Sequence, residues 1–243
     1  MYYEAQAGYE SLVKRTKELF LQSGSSLHKA RNELRTFDAK EMEIVIKSFK
    51  KPNLLNAFIY SFFKDSKAKK SYQNAIRIAN FTPRAIGYVE YKSFALLQDS
   101  YYVSERFLYS FTIREPLLDK SFANREEIFR AYALFMSRLH AEGILHEDLS
   151  PGNILISENC CKFVFKIVDI NRMSFYTPTL EDRLKNFAKL WADDDDLMFI
   201  VGEYARLLGG DEKIYCSKAL EFSQEHKDRK NFKKALKGKK IAS

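Results

Sequence analysis

The chain has 243 residues, of which 46% are hydrophobic and 30% are charged. This length suits one large domain or two closely packed lobes, and the composition excludes global disorder. The formal net charge is +8, and nearly all of the excess lies in Lys227–Lys240, which holds eight Lys or Arg residues and one Asp, a net charge of +7.

The first hundred residues favour strands, with one helix. Alternating apolar side chains predict a strand over Glu43–Phe49, and shorter strand-like patches occur at Tyr9–Val13 and Leu34–Phe37. Apolar residues near helical spacing predict the helix over Ser66–Asn80. After Pro83, the segments AIGYVEY and SFALLQ indicate two further strands, and YYVSERF indicates a connector.

From about Lys120 onwards helices predominate. A one-sided apolar pattern predicts a helix over Asn124–Glu142. Two short strands, NILIS and FVFKIVDI, follow, and then a helix over Thr179–Asp193, which Thr179 caps with Asp182 three residues on. A last helix covers Leu197–Leu208 and ends at two glycines.

This order of elements predicts an α+β fold with two lobes. The smaller lobe, residues 1–103, is mainly β with one helix, and the larger lobe, residues 104–243, is mainly α. Residues 227–243 form a basic tail.

Cysteine usage and the N-terminus indicate a cytoplasmic protein. Cys160, Cys161 and Cys216 give an odd count without a disulfide or zinc pattern, which favours a reducing compartment. The N-terminal sequence MYYEAQAGYESLVKR has no apolar signal core. The apolar run Asn53–Phe63 has 11 residues, which is too short to cross a bilayer.

The segment LHAEGILHEDLSPGNILI, Leu139–Ile156, carries the clearest chemical signal. Asp148 and Asn153 lie on one tight turn before a strand, where Asp148 can accept a proton from a hydroxyl nucleophile and Asn153 can offer its amide oxygen to Mg²⁺. Asp169 follows the next apolar strand, and pairing of NILI with KIVD brings Asn153 and Asp169 to the same end. This set points to phosphoryl transfer.

A cation for nucleotide phosphates is expected at Lys47. It closes the alternating strand EIVIK, which has the V-A-I-K pattern. A helix follows, in the place where kinases position an acidic partner for that lysine.

The chain resembles the lipopolysaccharide kinase family of the protein-kinase-like superfamily. LHAEGILHEDLSPGN resembles the superfamily's catalytic loop, and KIVDINRM looks like its metal-binding strand end. The segments VIKSFKKPNLLN, DSKAKKSYQNA, DSYYVSERF, LSPGNILI and DINRMSF narrow the resemblance to the enzymes that phosphorylate Kdo or heptose in the lipopolysaccharide inner core. It runs from about Gly8 to about Leu208 and implies a two-lobed protein-kinase-like fold.

The resemblance also implies site roles and ligands. Asp148 is expected to be the catalytic base, and His146 the histidine that braces the loop. Asn153 and Asp169 would hold Mg²⁺, and Lys47 would contact the phosphates of ATP. The hinge that lies against adenine would use backbone groups of three consecutive residues, Val103, Ser104 and Glu105.

The sequence departs from the kinase pattern at two places. The helix position expected to pair with Lys47 is an amide, Gln73, and Asp65 at the helix start is a second candidate. There is no G-x-G-x-x-G loop, and only Gly24, in QSGSS, marks a turn over the phosphates. A protein or small-molecule kinase and a pseudokinase that serves as a binding module therefore remain alternatives, although no long activation segment or A-P-E follows Asp169.

The same resemblance implies the acceptor and the location of the protein in the cell. The partner is expected to be the lipopolysaccharide core or Kdo-lipid A, at the inner face of the inner membrane. The basic tail has three interpretations: a solvated helical end, a contact with an anionic membrane surface, and a nucleic-acid contact, which we do not expect. Lysines between Lys50 and Lys70 are a second basic cluster for anionic headgroups.

Overall fold

The computed structural model describes residues 1–22, 24–29, 32–39, 42–159, 162–236 and 238. It divides into two compact units, one of Met1–Leu108 with Asp169–Arg172 and one of Tyr109–Val168 with Met173–Ser243. The first unit runs to Leu108, after the strand that ends at Glu105.

The first unit is built on a six-stranded antiparallel sheet in the order β1-β5-β6-β4-β3-β2. Its interior is an apolar cluster that includes Ile44, Ile46, Val89 and Val103, all fully buried. The strands are β1 (Tyr2–Ala5), β2 (Ser25–Lys29), β3 (Glu33–Ala39), β4 (Met42–Phe49), β5 (Ala85–Ser93) and β6 (Leu96–Glu105).

The first unit has four helices among its described residues, where the sequence predicted one. The predicted helix corresponds to α4, and the others are short. The helices are α1 (Glu10–Lys14), α2 (Thr16–Gln22), α3 (Leu54–Phe62) and α4 (Lys67–Arg77).

The strand predicted at Tyr9–Val13 is wrong, because this segment forms α1. Val13 is fully buried and packs on β5 at Gly87, where a Cβ atom would lie 2.5 Å from Val13 Cγ2. The helix reaches the sheet only because residue 87 has no side chain. Such a tertiary contact leaves no periodic pattern in a segment of five residues.

The second unit is mainly helical. Two small antiparallel sheets, β10-β9-β7 and β11-β8, carry the loop of interest. The strands are β7 (Phe111–Thr112), β8 (Ile144–His146), β9 (Ile154–Asn159), β10 (Lys162–Ile167) and β11 (Met173–Phe175). The helices are α5 (Arg114–Leu118), α6 (Arg125–Ala141), α7 (Leu180–Phe187), α8 (Asp194–Leu208) and α9 (Glu212–Ala235), with 3-10 turns at Pro151–Asn153 and Ala188–Leu190.

The helix ends in this unit agree only in part with the sequence prediction. Thr179 accepts a hydrogen bond from the backbone N–H of Asp182 at 3.2 Å, and the Asp182 carboxylate accepts one from the Thr179 N–H at 3.0 Å, so the predicted capping pair is confirmed. Helix α7 ends at Phe187, earlier than predicted. Asp193 caps α8, and the acids after it occupy the first turn of that helix, where negative charge is favourable.

The α+β class is confirmed, with a sheet-based unit and a helical unit. In the part of the chain that the structure describes, no helix combines the length and apolarity needed to cross a bilayer. Cys160 and Cys161, expected in a turn, lie outside the described residues, as do 237 and 239–243 of the basic tail.

Candidate active site

His146 holds the loop that carries Asp148. It is the last residue of β8, is fully buried, and lies opposite Met173 of β11. Its Nδ1 accepts a hydrogen bond from the backbone N–H of Asp148 at 3.0 Å, and its Nε2 lies 3.0 Å from the carbonyl oxygen of Val168. These partners require a neutral ring with its proton on Nε2.

The turn after His146 fixes Asn153 against Asp148. The Asp148 carbonyl accepts hydrogen bonds from the Ser150 N–H at 2.8 Å and from Asn153 Nδ2 at 2.9 Å. Because the amide nitrogen of Asn153 is committed in this way, its Oδ1 is the atom that remains for a cation. The backbone of Asn153 also bonds to Ser150 and Val168, at 2.9 Å each, which closes the turn and ties it to the residue after β10.

Asp148 is partly exposed, while Leu149 beside it is fully buried. The buried leucine anchors the loop and leaves the carboxylate of Asp148 at the surface of this unit. Gly152 completes the turn, because a Cβ atom there would lie 2.9 Å from the guanidinium of Arg114.

Further polar side chains support the backbone of His146, and the sequence did not indicate their role. Asn186, which is buried, donates Nδ2 to the His146 carbonyl at 2.8 Å, and Lys189 Nζ lies 3.2 Å from the same oxygen. The ring of His140 lies between Tyr204, at 2.9 Å, and Asn186, at 3.4 Å. Burial lowers the pKa of His140 to about 4, so this ring is neutral and structural.

Lys47 and Asp169 form a salt bridge within the first unit. Asp169 is the residue after Val168 in the chain, and it has a left-handed backbone conformation with φ of 60°. Its Oδ1 lies 2.5 Å from Lys47 Nζ and accepts a hydrogen bond from Asn171 Nδ2 at 3.0 Å. The Lys47 side chain is only 12% exposed, so this pair is largely shielded from water.

Neither residue proposed as the partner of Lys47 pairs with it. Gln73 is exposed on α4, and Asp65 forms a salt bridge with Lys69 at 2.6 Å. The α4 side chain that reaches the Asp169 segment is Asn74, which donates Nδ2 to the Ile170 carbonyl at 2.7 Å. The acid that pairs with Lys47 is the candidate metal ligand itself.

The residues predicted as a hinge lie at the end of β6, so the connector predicted there is wrong. Val103 and Ser104 have register partners in both β4 and β5. The N–H of Glu105 donates to the Arg84 carbonyl at 2.9 Å. Consecutive residues of β6 from Ser100 to Ser104 are buried between the two neighbouring strands, and a contact with adenine here stays a prediction.

Gly24, expected in a turn over the phosphates, lies between α2 and β2. Its φ is +105°, and a Cβ atom would lie 2.4 Å from the Phe37 ring, so glycine is required for local reasons. The β2–β3 hairpin turns later in the chain, partly outside the described residues.

The side-chain oxygens of Asn153 and of Asp169 are each of the type that binds Mg²⁺. Among the described residues, no group of three or more His, Cys, Asp and Glu side chains converges on one point. Asn153 in the second unit offers an amide oxygen, and Asp169 in the first unit offers a carboxylate. Each is a hard oxygen donor of the type that Mg²⁺ prefers.

A cavity of about 270 Å³ within the second unit adjoins the loop. Lys189 on its wall donates to Glu147 at 3.3 Å. Burial alone would raise the pKa of Glu147, but the hydrogen bond from Ser174 and the charge of Lys189 outweigh burial and lower it. The cavity is lined by Leu145, Glu147, Tyr176, Asp182, Lys185, Asn186, Ala188, Lys189, Phe222, His226 and Arg229.

The cavity has a positive wall. Burial lowers the pKa of His226, and Lys230, Arg229 and Lys189 lower it further, while Asp148 opposes them. Arg229 donates Nε to the Glu225 carbonyl at 3.3 Å, and no carboxylate of the described residues forms a salt bridge with it. The lining also includes the carboxylates of Glu147 and Asp182, and Lys189 and Lys185 are paired with Glu147 and Glu181. Arg229 is therefore the lining cation that an anionic group fits by charge.

Comparison with known proteins bears on the fold of the chain. No protein-family model matches the chain. Mitogen-activated protein kinase mpkC of Aspergillus terreus is 33% identical over 101 residues, 39% of this chain and 27% of that protein. The mpkC of Emericella nidulans is 26% identical over 157 residues, 62% of this chain and 35% of that protein. The chain thus spans about a third of the length of the curated relatives it matches.

Among solved structures, the chain is similar to WaaP in complex with acyl carrier protein. The TM-score is 0.59 at 14% sequence identity, over 93% of this chain and 99% of that one. The chain has a protein-kinase-like fold. The roles that the resemblance implies for His146, Asp148, Asn153, Asp169 and Lys47 stay predictions.

Proposed function

We propose that the protein is an ATP- and Mg²⁺-dependent kinase that phosphorylates a sugar hydroxyl, of Kdo or heptose, in the lipopolysaccharide inner core. The observation that carries this proposal is the geometry of the Asp148–Asn153 turn. His146 accepts a hydrogen bond from the Asp148 N–H, and the Asn153 side chain donates one to the Asp148 carbonyl. The resemblance of LSPGNILI and DINRMSF to the lipopolysaccharide kinases selects the acceptor class.

Asp148 orients the acceptor hydroxyl and takes its proton. Its carboxylate is at the surface of its unit, while its backbone is held at both the N–H and the carbonyl. A fixed backbone with an accessible carboxylate suits a positioned base, because little reorganisation is needed when the acceptor binds.

Lys47 binds phosphate oxygens of ATP, and Asn153 and Asp169 hold Mg²⁺. When bound, Mg²⁺ neutralises charge on the transferring phosphoryl group. Lys47 is nearly buried, so its charge acts on phosphate with little screening by water. Asn171 and Asn74 fix the segment that carries Asp169.

The positive cavity beside Glu147 supports an acidic acceptor. Arg229 and Lys189 would attract the carboxylate of Kdo or a phosphate of the inner core. The proposed location is cytoplasmic, at the inner face of the inner membrane. The basic end of α9, from Lys227 to Ala235, is a candidate contact for anionic lipid, and we expect no nucleic-acid partner.

A protein acceptor is the second candidate, favoured by the sequence similarity to the mitogen-activated protein kinases. In that case the cavity would take an acidic side chain or phosphorylated residue of the substrate protein.

The deciding experiment incubates the protein and Mg-ATP with Kdo-lipid A, with heptosylated core acceptors and with a generic protein substrate, followed by mass spectrometry. Asp148→Asn is run in parallel. A gain of one phosphate on a glycolipid, lost in the variant, supports the proposal. Phosphate on the protein alone favours the second candidate, and ATP binding without any transfer favours a pseudokinase.

A further inference from the structure

Helix α3 exposes most of its large apolar side chains and buries a small one, Ala57, while Ile59 and Tyr60 are half-buried. Ala57 is 3% exposed, and Ser61 Oγ accepts a hydrogen bond from the Leu97 N–H of β6 at 2.9 Å while donating to the Ala57 carbonyl. In an ordinary surface helix the large apolar residues face the core. Here they face outwards: Leu54, Leu55, Phe58, Phe62 and Phe63 are 79%, 69%, 48%, 57% and 73% exposed.

These side chains form one continuous apolar face, here called the α3 face. Leu54, Phe58 and Phe62 follow at intervals of four residues, so they stack along one side of the helix. The Phe58 ring centroid lies 5.0 Å from that of Phe62 and 5.8 Å from that of Phe63. A contiguous exposed apolar surface of this kind marks an interaction site.

Lysines flank the α3 face on both sides in the sequence. Residues 50–70 contain six Lys and one Asp, a net charge of 6 − 1 = +5. The single acid, Asp65, is paired with Lys69 at 2.6 Å. Lys50, Lys64 and Lys70 are exposed. Lys51 is paired with Asp99 at 3.3 Å, so the positive charge that is available to a partner is that of Lys50, Lys64 and Lys70.

We propose that the α3 face inserts into the interface of an anionic lipid bilayer, with the flanking lysines on the headgroups. Outward Leu and Phe side chains beside Lys residues are typical of helices that lie in the membrane interface. A second copy of the chain is a poorer occupant, because self-association would bring two surfaces of charge +5 together. The proposal assigns membrane contact to the first unit and not to the basic tail alone, and it does not depend on the acceptor.

The test is co-sedimentation of the full chain, without nucleotide or acceptor, with vesicles of phosphatidylcholine alone and of phosphatidylcholine with phosphatidylglycerol. The variants are the triple Phe58→Ser, Phe62→Ser, Phe63→Ser and the double Lys50→Glu, Lys64→Glu. Leu118→Ser is the matched control, since Leu118 is 78% exposed in the other unit. Lys233→Glu with Lys234→Glu tests the tail separately. Circular dichroism verifies that each variant is folded.

We expect the wild type to bind the anionic vesicles. The partition coefficient of the triple Ser variant should be lower by at least about tenfold, because it lacks the three phenyl rings whose transfer from water into the bilayer favours binding. The Lys variant should lose binding most strongly at low salt, and Leu118→Ser should bind as the wild type does. The proposal is overturned if the wild type does not bind anionic vesicles, or if the triple Ser variant binds them as strongly as the wild type does. It is also overturned by a wild-type dimer, seen by sedimentation velocity, that the triple Ser change dissociates without any effect on vesicles.

Discussion

Asp148 donates its backbone N–H to Nδ1 of His146 at 3.0 Å, so the residue proposed as the base is held by the ring of a buried neighbour. The ring is bonded on its other side to the Val168 carbonyl. We expect His146→Phe to remove both bonds, to lower the free energy of unfolding by about 1–3 kcal/mol and to lower kcat. Urea denaturation and initial rates measure the two effects. An unchanged kcat in a destabilised variant would mean that the ring supports the fold only.

Asp148→Asn tests the base directly. Because the carboxylate is partly exposed and the backbone bonds are kept, we expect an unchanged Tm and a kcat lower by a factor of about 100 to 10,000. Glu142→Gln is the matched control, since it removes an exposed carboxylate of the same unit, at the end of α6 and outside the cavity lining. Equal losses in the two variants would contradict the assignment of Asp148.

Lys47→Met removes the cation that we place on the phosphates. We expect the Kd for MgATP, measured by calorimetry, to rise by about tenfold or more. Lys17→Met is the control, because Lys17 forms a comparable Lys–Asp pair with Asp99 at 2.7 Å in the same unit. Nucleotide affinity that is lowered equally by both changes would reflect general loss of charge.

His140 makes stability depend on pH. Its pKa is about 4 in the folded protein, below the ordinary 6.5, so the unfolded chain binds the proton first. The free energy of unfolding should therefore fall by about 3 kcal/mol as the pH falls from near 6.5 to near 4, and should not change further through this group at lower pH. Urea denaturation at several pH values checks this. His140→Leu should flatten this part of the profile; a profile unchanged by the substitution would contradict the prediction.

Arg229→Gln tests the positive cavity. We expect the KM for an acidic acceptor to rise by about tenfold with kcat and the Kd for MgATP unchanged, because Arg229 is placed to bind the acceptor and not the reacting atoms. Arg206→Gln, another exposed arginine that is paired with Glu212 at 3.2 Å, should have no effect. A lower kcat with an unchanged KM would contradict the assignment of Arg229 to acceptor binding.

Local patterns in the sequence predicted much of this structure. The strand ending near Lys47, the pairing of NILI with KIVD and the Thr179 cap each depend on a few neighbouring residues, and each is confirmed. The loop that carries Asp148 and Asn153 was recognisable because its motif is short and contiguous.

The contacts that the sequence did not reveal join distant positions. Lys47 pairs with Asp169, 122 residues away, and not with Gln73 or Asp65. The support of His146 by Asn186 spans 40 residues. No spacing rule predicts such contacts, and the outward direction of the α3 face likewise depends on which side of the helix meets β6.

The Lys47–Asp169 salt bridge has a consequence for the order of ligand binding. Each charge is already compensated by the other, so a nucleotide without its cation, or a cation without its nucleotide, must break the bridge and leave one charge unmatched. With Lys47 on the phosphates and Asp169 on the cation, as proposed, only the two ligands together would give both residues a new partner of opposite sign. Mg²⁺ and ATP should therefore bind with positive thermodynamic coupling, each raising the affinity for the other by the same factor.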